Sequence, residues 1–529
     1  MAAARTAGSR SARWVVLLIV FTSGMTTMAV EMAASRLLGP YFGDSILVWA
    51  NLIGLILIYL SLGSFLGGRW ADHSPRSETL YTATAVAAFW VGLVPMVATP
   101  VLRVAQNAFT HIGADLVTFD AIQIGGSFVS VLILFAPPVI LLGMVSPFAI
   151  RLSTRQISSA GSNAGRIYAL STIGSILGTF MPVLLFIPTI GTARTFLLFA
   201  LLLFLVSLLG LVLQRRRRRA LSVAALLALL VALMIAFPQR IVKADARMVY
   251  EQESRYNYIQ VLQVEDTRYL MLNEGQGVHS VYSPYTLDTF GTWDMFVAAP
   301  FFNPPGQAQV HRVCVIGLAA GTVARQATAA FGPIPIDGVE IDPAIVDVGR
   351  TLFDMNMPNL NVFVTDGRFF LQHTSAVYDL IVIDAYRLPY IPFQLTTTEF
   401  FALTRARLAP SGVVTVNVGR TNSDYRMVAA IASTLSKHFA TVHVIDIPDT
   451  FNTVLVATLQ ETSAANLQAN SSQAENPFLR ELLARAVSNL QSTRAQCTPS
   501  TKEFVFTDDR APVESLTNAI LIRFLLSGD

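Results

Sequence analysis

The chain has 529 residues, 53% hydrophobic and 13% charged, with a net charge of +3, and that length calls for two or three units rather than one domain. Its two cysteines, Cys314 and Cys497, exclude a disulfide framework, and its seven histidines show no metal-ligand spacing, so no metal site is assigned. The small net charge gives no case for a nucleic-acid partner: nearly all acidic residues follow Lys243, and the earlier basic residues sit in short segments between apolar runs.

A spanning helix needs roughly 20 apolar residues to cross about 30 Å of hydrocarbon. Runs of that kind occur at 14–35, 46–68, 80–102, 121–149, 167–190, 194–213 and 220–237, so residues 1–243 read as a membrane domain of about seven helices. The first run is too long for a signal peptide, lacks a cleavage site and is followed by six more. The fourth carries Pro137–Pro138 and is expected to kink or break there. Arginines cluster before the first run and after the second, fourth and sixth, while Arg36, Arg103 and Arg194 stand singly in the alternate loops. This bias places the N-terminus in the cytoplasm of a multi-pass plasma-membrane protein. Seven crossings would leave the second half outside, away from a soluble cofactor made in the cytoplasm; the sequence leaves its side open. The run Arg215–Arg219 reads as a topogenic flank meeting anionic membrane lipid.

Two polar features fall within the apolar runs. Glu31 is either an intramembrane functional carboxylate or half of an interfacial pair with Arg36. Gly63, Gly67 and Gly68, with Gly174 and Gly178, have the spacing of close helix packing, a transport path being the minor alternative.

From about Arg247 the pattern changes. Residues 244–305 read as a small β-hairpin domain, with strands Tyr258–Val264 and Arg268–Leu272 around Glu265–Asp266. Residues 306–529 alternate strands (Arg312–Ile316, Ile336–Glu340, Asn361–Val364, Leu380–Ile383, Val413–Val418) with helices at Gly321–Ala330, Ile345–Phe353, Thr398–Leu408 and Tyr425–Lys437. Such alternation predicts a parallel sheet covered on both faces. Cys314 lies in the apolar first strand and reads as a small buried thiol. Thr441–Ile445 and Val454–Thr458 form an antiparallel edge hairpin, and Glu461–Pro477 reads as a mobile surface loop.

Ligands of such sheets bind beyond the carboxyl ends of the strands. Gly317-Leu-Ala-Ala-Gly321 follows the first strand and lets a ligand approach the backbone. Glu340 ends the second, placed to accept hydrogen bonds from a ribose diol; Asp366–Gly367 follows the third and Asp384 the fourth. One acid at a strand tip is usually a helix cap. Four signals at four successive tips point to an adenosine-type ligand.

The chain resembles the spermidine synthase (polyamine aminopropyltransferase) family, in its bacterial form fused to an N-terminal multi-span membrane domain. In the first half the likeness rests on Gly67-Gly-Arg-Trp-Ala-Asp72, Leu142-Gly-Met-Val-Ser-Pro147 and Tyr168-Ala-Leu-Ser-Thr-Ile-Gly174. In the second it rests on Val339-Glu-Ile-Asp-Pro343, Thr365-Asp-Gly367, Ile383-Asp-Ala-Tyr386 and Thr507-Asp-Asp-Arg-Ala-Pro-Val-Glu514, the last without a mechanism readable from sequence. The resemblance implies a small β-domain followed by a methyltransferase-type, Rossmann-like α/β domain. It also implies decarboxylated S-adenosylmethionine or S-adenosylmethionine as co-substrate and a small-molecule amine as acceptor, and it admits a homodimer.

By the same resemblance, Glu340 holds the ribose, Asp366–Gly367 the adenine, and Asn257 stands where the family has a glutamine contacting the nucleoside. Asp384 matches the aspartate that works on the attacking amine, with Tyr386 lining the acceptor pocket. An ammonium cannot attack, so a proton acceptor is needed. The chain departs from the family at Ala320 and Arg387, each replacing an acid, and each lost charged hydrogen bond is worth roughly 1.5–3 kcal/mol. Arg387 suggests a carboxylate nearby, on the co-substrate or the acceptor, or else an ion pair with an acid elsewhere in the domain. Trp293, in the altered gate region Thr292-Trp-Asp294, is expected at the substrate. The alternatives are an S-adenosylmethionine-dependent methyltransferase, and a transporter or sensor whose nucleoside domain does no chemistry.

Overall fold

The computed structural model describes residues 2–42, 46–112, 119–154, 160–236, 245–273, 277–386, 390–492 and 505–527. The chain divides into two compact units, Met1–Ala244 with Glu253–Arg255, and Asp245–Gln252 with Tyr256–Asp529.

The first unit is all helix: α1 (Ala2–Phe42), α2 (Ile46–His73), α3 (Ser77–Ile112), α4 (Phe119–Gly143), α5 (Val145–Ser153), α6 (Ala160–Met181), α7 (Ile187–Ile190), α8 (Thr192–Leu213) and α9 (Arg217–Ala236). Among the described residues, seven helical stretches are long and apolar enough to cross a membrane. α4 runs unbroken through Pro137–Pro138 and stops five residues beyond Pro138, at Gly143, before α5. A π-helical segment, Pro182–Phe186, interrupts the fifth stretch between α6 and α7. The glycine spacing serves packing. A Cβ on Gly174 or Gly178 would lie 2.1 or 2.0 Å from the carbonyl oxygens of Phe21 or Met25, and one on Gly63 2.2 Å from that of Ile140. Gly68 faces nothing within 4 Å. Of the arginine run, Arg216 and Arg219 pair with the buried Glu78 at the start of α3, at 2.5 and 3.6 Å.

The second unit opens with a four-stranded sheet, β1 (Met248–Glu253), β2 (Tyr258–Val264), β3 (Thr267–Leu272) and β4 (Val278–Tyr282), in that order. β2 and β3 form the expected hairpin, turned by Glu265 at φ +52°. After α10 (Thr292–Ala298) come β5 (Val313–Ile316), α11 (Thr322–Phe331), β6 (Ile336–Glu340), α12 (Pro343–Leu352), β7 (Leu360–Val364), α13 (Gly367–His373) and β8 (Tyr378–Ile383). Then follow α14 (Thr398–Ala406), β9 (Leu408–Gly419), α15 (Arg426–Leu435), β10 (Thr441–Asp446), β11 (Asn452–Thr458), α16 (Ala464–Gln473), α17 (Pro477–Ser492) and α18 (Val513–Ser527).

The seven-stranded sheet runs β10-β11-β9-β8-β5-β6-β7, with β5 to β9 parallel and the β10–β11 hairpin antiparallel at the edge. Every residue of Val-Cys-Val-Ile in β5 is buried, as a strand covered on both faces requires. Glu461–Pro477 is not a free loop. It contains α16, whose buried Asn470 donates to the carbonyls of Phe301 (2.8 Å) and Asn303 (2.9 Å). Scattered Ser, Asn and Gln conceal that anchor in the sequence.

From β5 the chain winds outward to β6 and β7, then returns to the other side of β5 as β8 and continues to β9. The order therefore reverses between β5 and β8, which is where an open parallel sheet leaves a crevice at its carboxyl edge.

Candidate active site

The expected residues at the tips of β5, β6 and β8 come together. Gly317 has φ +84°, and a Cβ there would lie 2.6 Å from the main-chain oxygen of Asp384. Gly321, at φ +89°, caps α11 in the left-handed region, where a Cβ would strike Met355 at 2.6 Å. Between them Ala319 is also left-handed, at φ +49°, a conformation unfavourable for alanine and held by its neighbours.

Glu340 is 7% exposed, its carboxylate accepting from the N–H groups of Ala319 (3.0 Å) and Asp342 (3.1 Å). Burial pushes its pKa up to about 7, against the lowering pull of those N–H donors. Asp366 caps α13, accepting from Phe369 N–H at 2.9 Å, and Gly367 lies against the side chain of Ile316, where a Cβ would come within 2.4 Å. The capping role weighed from sequence is thus real for Asp366, at the tip of β7. Three strand spacings separate the tips of β7 and β8, or roughly 14 Å.

Asp384 is held by two side-chain donors. Its Oδ2 accepts from Trp293 Nε1 (3.0 Å) and its Oδ1 from Asn417 Nδ2 (2.9 Å). Part of the residue remains accessible, yet desolvation of the carboxylate raises its pKa to about 7, with the Asn417 and Trp293 donors opposing. Tyr386 donates to the main-chain oxygen of Asn417 (3.2 Å), and burial, then Asp384, holds its phenol protonated well above the usual range. Trp293 therefore joins the site from α10. Its neighbour Asp294 is wholly buried and structural, accepting from Thr289, Phe290, Gln326 and Arg485.

Asn257 is turned to another task. Its Nδ2 donates to Asp342 (2.9 Å) while its Oδ1 accepts from Asn273 (3.0 Å), tying the small sheet to the cap of α12. Arg387 lies outside the described residues. Asn417 was missed, although a signal existed: it is a polar residue in the apolar run Val413–Val418, on the strand next to the one carrying Asp384. The Thr507–Glu514 motif also finds a role. Asp508 takes two bonds from Arg368 (2.7 and 2.6 Å) and one from Thr397 (2.7 Å), clamping α13 just behind Asp366–Gly367. A separate cavity of about 230 Å³, lined by Tyr269, Val281 and Arg325 among others, includes none of the strand-tip acids.

Residues 294–470 match the spermine/spermidine synthase domain. The chain is 31% identical over 287 residues to a protein of Bifidobacterium longum described as a probable polyamine aminopropyl transferase. It is 29% identical over 248 residues to the polyamine aminopropyltransferase of Vibrio vulnificus. These matches point to the spermidine synthase family. These two matches cover 51% and 44% of the chain, and 63% and 78% of the relatives, so it spans a little under two thirds of the first. A solved structure of a probable spermidine synthase from Corynebacterium glutamicum is similar over 46% of this chain and 95% of its own, at 21% identity and a TM-score of 0.38. The family's fourth loop position is here Ala320, 1% exposed, its N–H given to Ser280 Oγ at 2.9 Å. That position therefore offers no side-chain acid to a ligand.

Proposed function

We propose that the chain is a membrane-bound transferase of the polyamine aminopropyltransferase type, taking decarboxylated S-adenosylmethionine or a related sulfonium nucleoside. The seven apolar helices anchor it. The nucleoside lies along the carboxyl edge of the sheet, with its ribose diol donating to Glu340 and its adenine beside Asp366–Gly367. An amine attacks the carbon next to the sulfonium: the C–N bond forms, the C–S bond breaks, and its electron pair returns to sulfur as a neutral thioether. The proton released from the amine passes to Asp384.

The observation that carries this reading is the double hydrogen bond fixing Asp384, a carboxylate poised near pH 7 at the crevice. A general base works best with its pKa near the operating pH. Tyr386 and Trp293 line the acceptor side, and an acceptor site lacking the acids replaced by Ala320 and Arg387 suits a less highly charged amine.

The test is turnover by the full chain in detergent, with decarboxylated S-adenosylmethionine and putrescine, read as methylthioadenosine and aminopropylated amine. Tight nucleoside binding with no turnover over a panel of amines would reject the transferase reading and favour a non-catalytic sensor. Turnover with S-adenosylmethionine that yields a methylated product would make it a methyltransferase.

A further inference from the structure

The helical unit holds a buried carboxylate for which the transfer reaction has no use. Glu31 lies inside the apolar stretch Trp14–Phe42, is 8% exposed, and has no ion-pair or hydrogen-bond partner among the described residues. The pairing with Arg36 is not formed there; Arg36 donates to the main-chain carbonyl of Arg255. Ser23, Thr27, Glu31 and Ser35 recur every four residues, so they share one face of α1. Ser23 and Thr27 are buried, with Thr27 Oγ1 donating to the Ser23 carbonyl at 2.9 Å.

Three irregular features reach the depth of Glu31. α1 and α6 run parallel, since Trp14, Leu17 and Phe21 share a groove with Arg166, Leu170 and Ile173, and Met25 abuts Gly178. Equal rise along both helices puts Glu31 level with about residue 184, inside the π-helical segment. Phe186 of that segment packs with Met25 and Ala29, the latter two residues before Glu31. Such segments commonly mark functional sites.

α4 runs antiparallel to α1, with Phe42 against Gly126, so the same count sets Glu31 opposite about residue 137. There Pro137 and Pro138 supply no N–H, leaving the carbonyls of Ile133 and Leu134 without helical donors. α2 runs alongside α4, as the Asn51–Ser127 hydrogen bond of 2.9 Å shows, which brings Tyr59 to about the same level. Its hydroxyl is enclosed and has no hydrogen-bond partner among the described residues.

We propose that these groups form a cation-binding site within the membrane, centred on Glu31 and taking one positive charge, a proton or a small cation. A carboxylate in hydrocarbon must be neutralised, and no cation among the described residues pairs with it. The polar groups placed at its level, the Tyr59 hydroxyl and the carbonyls of Ile133 and Leu134, are oxygens that can accept from, or coordinate, a cation. Among the described residues of the helices packed on α1, Tyr59 is the one titratable side chain at this depth. The charged residues and remaining tyrosines lie towards helix ends. The site rests on the reading that these helices span a membrane.

The test uses the full chain in native membranes, labelled with dicyclohexylcarbodiimide, which attacks protonated carboxyls in apolar surroundings, and mapped by peptide mass. Expected is an adduct on Glu31, absent in Glu31→Gln, that falls about tenfold per pH unit above the site's midpoint. Sodium or potassium, whichever the site accepts, should suppress it at constant pH, and suppression by neither, with the pH response intact, assigns the proton. Tyr59→Phe should shift that midpoint while leaving the labelled residue unchanged. No adduct at any pH, or labelling indifferent to pH and to both cations, overturns the site. Recovery of the chain in carbonate-washed membranes tests the spanning reading by itself, so the two failures are distinguishable.

Discussion

Replacing Asn417 by Leu keeps the side chain's shape and removes one of the two donors that stabilise ionised Asp384. The substitution takes this donor from Asp384 Oδ1 and breaks no bond to Asn417 Oδ1, which has no partner among the described residues. A hydrogen bond to a charged group is worth about 1.5–3 kcal/mol. At 1.36 kcal/mol per pH unit, losing it raises the Asp384 pKa from about 7 by roughly one to two units. At pH near 7.5, the ionised fraction and with it kcat then fall about 3- to 25-fold, and the loss is recovered at higher pH. The assay is kcat against pH for both proteins with saturating co-substrate, where the amine's own ionisation is common to both curves. A uniform drop with an unshifted profile would show that Asn417 only packs, and that Asp384 is not the group whose ionisation limits transfer.

Asp384→Asn should abolish transfer and leave nucleoside affinity nearly intact by calorimetry; a collapse of affinity would take the base role from Asp384. Glu340→Ala should weaken nucleoside binding, and in the parent chain that affinity should rise with pH through about 7, because a ribose diol donates to the ionised carboxylate. Asp508→Ala frees Arg368 and Thr397 from the clamp on α13 and should raise KM for the nucleoside with little change in kcat. Glu340 and Asp384 both have folded pKa values above their ordinary carboxylate range, so the folded unit binds more protons than the unfolded chain between about pH 4 and pH 7. Their stabilising contribution is present below that window and is lost as pH rises through about 7. Hydrogen-exchange protection of β5 to β9, corrected for intrinsic rate, should therefore decline over that range, and less so in Glu340→Gln.

The parallel sheet was legible because its strands are short, apolar and separated by helical spacing, and Ile336–Glu340 and Tyr258–Val264 fall at the expected bounds. What escaped is instructive. β1 and β4 carry mixed polar residues because only one face of the small sheet packs, so no apolar run marks them. α16 is anchored by asparagines rather than by an apolar stripe. At the site, acids at strand tips could be read from chain order, whereas Asn417 and Asn257 act through partners 33 and 85 residues away, a distance that local pattern does not encode. The doubt over Pro137–Pro138 had a similar source: neighbouring helices decide whether a proline pair breaks a helix.

The contact between Gly317 and the main chain of Asp384 has a consequence for how a transferase of the proposed type could change its substrates. With no side chain between them, the loop proposed to grip the nucleoside and the peptide that carries the proposed base form one mechanical seam. New acceptors must therefore be fitted from the opposite wall, through Trp293 and Tyr386, while the seam stays fixed.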